Sequence, residues 1–193
     1  MQEGPLDMRM DNLQDLTAEK VINNYKEEKL AKILYEYGEE KFSRVIAKNI
    51  CLYRKKKKIT TTSELVSIIE KSIPSKYRNS KGHPAKRTFQ ALRIEVNNEI
   101  EPLYNTIKDA IDILEPKGRL CIITFHSLED RIVKNAYNDA LGKCTCPPDL
   151  PYCVCGGKAL GKIINKKPIL PSKEELDKNS RSQSAKLRVF EKL

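Results

Sequence analysis

The feature that most constrains this 193-residue chain is a change of hydrophobic period at Pro116-Lys117-Gly118. Before it, apolar residues recur at threes and fours, the spacing of amphipathic helices. After it comes Arg119-Leu-Cys-Ile-Ile-Thr-Phe125, a continuous apolar run bounded by Gly118 and His126. That texture predicts a strand buried on both faces of an α/β layer. In the first part, Thr17 is placed to cap a helix reaching about residue 25. A helix over 27–37 aligns Leu30, Ile33, Leu34 and Tyr37 and stops at Gly38. A third, over 39–53, turns Phe42, Val45, Ile46 and Ile50 inward. Thr61 and Glu64 form a capping-box pair for a helix that Pro74 closes. Residues 75–82 read as a basic, turn-like linker. A helix over 83–100 precedes another that Pro102 opens. In the second part, Ser127 and Asp130 make an S-x-x-D cap for a helix over 128–141. Strands are expected over 161–166 and 185–191, with a helical turn over 173–179. Three strands with one helix between them make a poor free-standing sheet, and one edge should lack its neighbour. The chain therefore reads as a piece of a larger α/β fold.

Charge is as uneven as texture. Between Lys41 and Arg93, 15 Lys and Arg face only Glu64 and Glu70, a local charge of +13. The remainder carries 21 basic and 24 acidic residues, so the net charge of +10 comes entirely from one block. A concentrated block suits a polyanion, because each neutralised phosphate releases condensed counterions. The run Arg54-Lys55-Lys56-Lys57-Lys58 is its densest part, although a lysine run by itself is as readily a solvated face. No stretch of about 18 apolar residues is present, so no membrane span is expected. The N-terminus has no basic segment followed by an apolar one, so no secretory signal is expected. Both point to the cytoplasm, where thiols stay reduced.

Within this block, His83-Pro-Ala-Lys-Arg-Thr-Phe-Gln-Ala-Leu-Arg-Ile-Glu-Val-Asn-Asn-Glu99 has two distinct faces. Phe89, Leu92, Val96 and Ile100 share one, as a core-facing helix requires. The other crowds Arg87, Gln90, Arg93 and Asn97 together, with His83 and Lys86 at its entrance. Arginine supplies forked donors suited to phosphate or a guanine edge, and amides pair with base edges. The same residues also serve for tying the helical part to the sheet by buried hydrogen bonds.

Several segments together carry a family resemblance. They are Gly4-Pro-Leu-Asp-Met-Arg-Met-Asp11, Tyr37-Gly-Glu-Glu-Lys-Phe42, the helix just quoted, Gly118-Arg-Leu-Cys-Ile-Ile-Thr-Phe-His-Ser-Leu-Glu-Asp-Arg-Ile-Val-Lys134 and Arg181-Ser-Gln-Ser-Ala-Lys-Leu-Arg188. In this order they resemble the bacterial small-subunit ribosomal RNA cytosine-N4 methyltransferase H (MraW) family. The resemblance implies an incomplete Rossmann-like methyltransferase sheet, with its C-terminal strands only, plus an all-helical substrate-recognition lobe. On that basis residues 1–15 are a connector, 16–100 the lobe, and 101–193 the α/β portion with a cysteine-rich loop at 143–157. It further implies S-adenosylmethionine as methyl donor, 16S rRNA in the small ribosomal subunit as partner, and a homodimer. Family members carry a glycine-rich donor-binding half, and no G-x-G-x-x-G occurs in this chain. No donor-binding residue is therefore assigned, and that half is expected ahead of residue 1. The catalytic acceptor is expected there too, leaving Asp7, Arg9 and His126 as weaker candidates. Asp7, Arg9 and Asp11 either line the cleft or make a local ion-paired turn. His126 sits where a strand end meets a helix N-terminus, an edge where ligands gather in open α/β sheets, and its structural alternative is a backbone partner. The lobe's His83, Lys86, Arg87, Gln90, Arg93 and Asn97, with Arg54 to Lys58, are the expected rRNA contacts. A non-enzymatic RNA-binding module is the competing reading.

Cys144-Thr-Cys146 and Cys153-Val-Cys155 add a separate signal. Four thiolates within twelve residues match a tetrahedral zinc site, although C-x-C is tighter than the usual spacing, and the alternative is a reduced, metal-free loop. Cys51 and Cys121 read as buried core thiols.

Overall fold

The computed structural model describes residues 3–78, 82–142 and 157–193, and the chain divides into two compact units, 1–99 and 100–193. The first is helical. It contains α1 (Ala18–Asn24), α2 (Glu27–Glu36), α3 (Ser43–Arg54), α4 (Thr62–Ser72), the single turn α5 (Ser75–Arg78) and α6 (Lys86–Asn97). Helix α3 packs against α1, α2 and α4, while α6 packs against α1 and α2. Their inward stripes meet in one core that includes Ile22, Leu34, Ile50, Leu65 and Leu92. Thr61 and Glu64 close the expected capping box at the start of α4. The N-terminal segment joins this unit: Leu6 is fully buried, its N–H donates to the Thr60 carbonyl, and Pro5 bridges to Thr61.

Four expectations for this unit need correction. Helix α3 starts at Ser43, not near residue 39. Glu39 is left-handed (φ 49°), and a Cβ at Gly38 would lie 2.6 Å from the Arg87 carbonyl oxygen. The chain therefore turns tightly against α6 before the helix can begin. With that start, Ser43, Ile46, Ala47 and Ile50 face inward, and Val45, expected in the core, is 46% exposed. The linker over 75–82 contains the helical turn α5. Helix α6 ends at Asn97, not near residue 100, and its C-cap Asn98 has a left-handed φ of 49°, a conformation that asparagine tolerates better than most residues.

The second unit contains α7 (Leu103–Ile113), β1 (Arg119–Thr124), α8 (Ser127–Asp139), β2 (Gly161–Ile163), α9 (Lys173–Lys178), a 3-10 turn (Ser180–Ser184) and β3 (Lys186–Lys192). The strands pair antiparallel in the order β1-β3-β2, with Leu120 opposite Phe190, Cys121 opposite Val189 and Ile163 opposite Phe190. On one face Leu120, Ile122, Ile163 and Phe190 pack with Ile107, Ile111, Val133 and Tyr137 from α7 and α8. The Tyr137 hydroxyl donates to the Leu120 carbonyl at 3.0 Å. Burial raises its pKa well above the ordinary tyrosine value. Gly161 permits a close approach there, since a Cβ would collide with the Phe190 ring and the Glu191 carbonyl.

The mixed α/β class holds, and three antiparallel strands with flanking helices are consistent with the expected partial methyltransferase sheet. Strand β1, however, is not buried on both faces: Arg119, Cys121 and Ile123 point away from the helices and are exposed. Cys121 is thus not a core thiol, whereas Cys51 is buried. Strand alternation explains the difference, because only every second residue of β1 meets the helices.

Candidate nucleic-acid interface

Helix α6 holds its amphipathic register, so Arg87, Gln90, Arg93 and Asn97 do share its polar side. Each of them is engaged within the first unit. Arg87 Nη1 donates to the Glu39 carbonyl at 3.0 Å and Gln90 Nε2 to the Tyr37 carbonyl at 2.9 Å. Arg93 forks onto Glu99, Nε to Oε1 and Nη2 to Oε2, both at 2.8 Å. Asn97 Nδ2 donates to the Met8 carbonyl at 2.9 Å, and its Oδ1 accepts from the Met10 N–H at 2.8 Å. This amide therefore acts as a clasp for the N-terminal segment. At the helix entrance, His83 Nδ1 accepts from the Ala85 N–H at 3.2 Å, and Lys86 is exposed.

The basic run splits by direction. Arg54 turns inward, donating to the carbonyls of Ile22 (2.5 Å) and Tyr25 (2.6 Å). Lys57 pairs with Glu64, and Lys58 with Glu19, each at 2.5 Å. Lys57 and the Thr60 N–H together lower the Glu64 carboxyl to about 2. Lys55 and Lys56 are exposed and make no ion pair among the described residues. Two open grooves flank α3. One, about 900 Å³, lies toward α2 and includes Glu27, Glu28, Lys32, Tyr35 and Arg44. The other, about 580 Å³, lies toward α4 and is lined by Asn49, Leu52, Tyr53, Lys56, Ser63, Glu64, Ser67, Ile68 and Lys71.

Asp7 and Arg9 form a two-pronged ion pair (2.7 and 2.9 Å), and Arg9 also donates to the carbonyls of Asn12 and Gln14. The hydrogen bonds from Arg9 hold the Asp7 carboxyl below its ordinary range. Asp11 accepts from the Leu13 N–H, so this segment has the form of an ion-paired turn.

His126 is the N-cap of α8. Its Nδ1 accepts from the Glu129 N–H at 3.3 Å, while Glu129 Oε2 accepts from the N–H groups of Phe125 (2.8 Å) and His126 (3.3 Å). The cap thus falls one residue before the expected Ser127, and its acidic partner is Glu129 rather than Asp130. An Nδ1 acceptor places the proton of a neutral imidazole on Nε2. That atom lies 3.2 Å from Glu129 Oε1, off the line of a hydrogen bond. Burial disfavours the Glu129 charge, but His126 and the two backbone donors outweigh it and hold the carboxyl below its usual value. Asp130 instead grips β3: Arg188 Nε donates to Oδ1 at 2.7 Å and Nη2 to Oδ2 at 3.1 Å. The roles of Glu99 and Glu129 were missed in the sequence, although each acid lies just past a helix end or three residues into a helix, where such pairing is common.

The strand-to-helix turn from β1 to α8 has no glycine, and the N–H groups of Phe125, His126 and Glu129 are engaged within the cap. The four closely spaced cysteines, 144, 146, 153 and 155, lie outside the described residues, as does the zinc expectation attached to them. Among the described residues, no helix is long and apolar enough to cross a membrane.

The sequence model of the MraW methylase family matches residues 1–193. The chain belongs to the MraW methylase family. Among its MraW relatives is "Ribosomal RNA small subunit methyltransferase H 2" of Agathobacter rectalis, 56% identical over 191 residues, covering 99% of this chain and 61% of that protein. "Ribosomal RNA small subunit methyltransferase H" of Clostridium botulinum is 59% identical over 193 residues, covering all of this chain and 62% of the relative. The protein of the same name from Finegoldia magna is 53% identical, again with 62% covered. This MraW chain therefore spans about three fifths of the length of those relatives.

Proposed function

We propose that this chain is the RNA-recognition and sheet-bearing portion of an enzyme that methylates N4 of a cytosine in small-subunit rRNA, with S-adenosylmethionine as donor. The observation that carries the reading is the family match over the whole chain. The relatives' printed names and the +13 block between Lys41 and Arg93 support rRNA as the partner. In this reading the chain's own contribution is to hold RNA and present it. Cytosine N4 is a weak nucleophile, because its lone pair is conjugated into the ring. A site that methylates it therefore depends on alignment more than on activating groups. The expected contacts on α6 remain part of this proposal through the exposed His83, Lys86 and Arg87. A homodimer, implied by the family, belongs to it as well.

The test has two arms. The first titrates labelled small-subunit rRNA with this chain at several salt concentrations, and the second titrates it with S-adenosylmethionine by calorimetry. Salt-sensitive RNA binding without donor binding is expected. Absence of RNA binding overturns the reading. RNA binding by a complete relative with no methyl transfer from labelled donor would favour a binding module instead, a reading motivated by the lack of a G-x-G-x-x-G motif in this sequence.

A further inference from the structure

Resting on the reading above, and going beyond it, the geometry points to the outer face of α3 as the track for the RNA backbone, with one nucleobase held in the groove between α3 and α4. Helix α3 is enclosed by α1, α2 and α4, leaving one side outward. Arg44, Lys48, Lys55 and Lys56 lie on it, all exposed, and none makes an ion pair among the described residues. From Lys41 to Lys58 the sequence has no acidic residue. Spacings of four and seven set Arg44, Lys48 and Lys55 in a line about 16 Å long along the helix axis. By contrast, Arg54, Lys57 and Lys58 are spent on internal partners, and so are Gln90, Arg93 and Asn97 of α6.

Between the two flanking grooves, the pairing of the acids decides. On the α2 side Glu27 and Glu28 stand with Lys32, Lys41 and Arg44 and make no ion pair among the described residues, which leaves two carboxylates to repel phosphate. On the α4 side Glu64, the acid of that lining, is already paired with Lys57. That groove brings Leu52, 49% exposed, and Tyr53, 37% exposed, beside Lys56 and Lys71. An aromatic and an aliphatic side chain framed by cations is the composition that stacks an unpaired base while its phosphates are neutralised. A duplex keeps its bases stacked inside, so the groove selects single-stranded RNA.

The experiment compares the intact chain with the variant R44Q/K48Q/K55Q/K56Q and with Tyr53→Ala. The probes are a labelled single-stranded segment of small-subunit rRNA and the same segment as a duplex. The quadruple variant should flatten the slope of log affinity against log salt by about 2 to 3, from four lost single-strand phosphate contacts. K48R/K55R/K56R should keep the slope, and unchanged thermal melting excludes misfolding as the cause. Tyr53→Ala should weaken single-strand binding about tenfold, the scale of one stacked base, and leave the duplex unaffected. If the quadruple variant binds like wild type while R87A/R93A does not, the α3 track is overturned and the rRNA reading stands. If wild type binds neither RNA, that reading falls with it. Stripe-dependent binding of polyglutamate in place of RNA would assign α3 to an acidic protein and overturn the inference.

Discussion

Asn97 joins segments almost ninety residues apart with one amide, so its loss should be felt well beyond its own helix. Asn97→Ala removes the bonds to Met8 and Met10 and should lower unfolding free energy by about 2 kcal/mol, read from urea midpoints. Asp130 makes the corresponding link in the second unit, and here pH provides the test. Hydrogen bonds from Arg188 hold its carboxyl below the ordinary aspartate value, so the folded state prefers the charged form more than the unfolded state does. That stabilisation is complete above the unfolded value and is lost as pH falls through the folded one. Asp130→Asn should therefore destabilise the protein near neutrality, by about 1–2 kcal/mol, and the difference from wild type should shrink toward pH 2. The described thiols differ similarly. Cys121 is exposed on β1, while burial pushes the Cys51 thiol up. Iodoacetamide labelling followed by peptide mass mapping should find Cys121 modified well before Cys51. The polar side of Asn97 and the burial of Cys51 were legible in the sequence, whereas the exposure of Cys121 was not. Nor were the polar partners, because Lys58 and Glu19, or Asp130 and Arg188, meet only after the elements between them have folded.

The capping boxes show why some element boundaries can be read from sequence and others cannot. Thr61 and Glu64 are both preferred types for their positions, and α4 starts where they indicate. At α8 a histidine performs the same task directly before a serine, and the serine, the commoner cap, draws the expectation one residue too far. His126→Ala should cost about 1 kcal/mol in thermal or chemical denaturation. His126→Ser should recover most of that, since a hydroxyl also accepts from the third N–H of the helix. If serine fails to recover it, the imidazole has a role beyond capping. The mistaken inward placement of Val45 has a related origin. Periodicity gave the helix, but its phase depended on a start shifted by the tight turn at Gly38.

Across the molecule, the division into helical and strand-bearing parts was written in the change of hydrophobic period; β1 and β2 fell within their expected ranges, and β3 ran one residue past its own. The pairing was not legible, because alternation in Lys186–Lys192 identifies a strand without naming its neighbours. The two units have separate cores, so large-to-small changes should act selectively. Phe190→Ala should lower one unfolding transition by about 3–5 kcal/mol and Leu34→Ala the other by about 2–5 kcal/mol, resolved by calorimetry on each variant.

The middle strand of the sheet is β3, and β1 pairs with it but not with β2. During synthesis, then, β1 emerges some sixty residues before the partner it needs, with an apolar side and the edge that β3 takes open to other chains. The helical unit can finish folding on the ribosome while the sheet waits for its keystone, which makes this interval the one in which a chaperone would matter most.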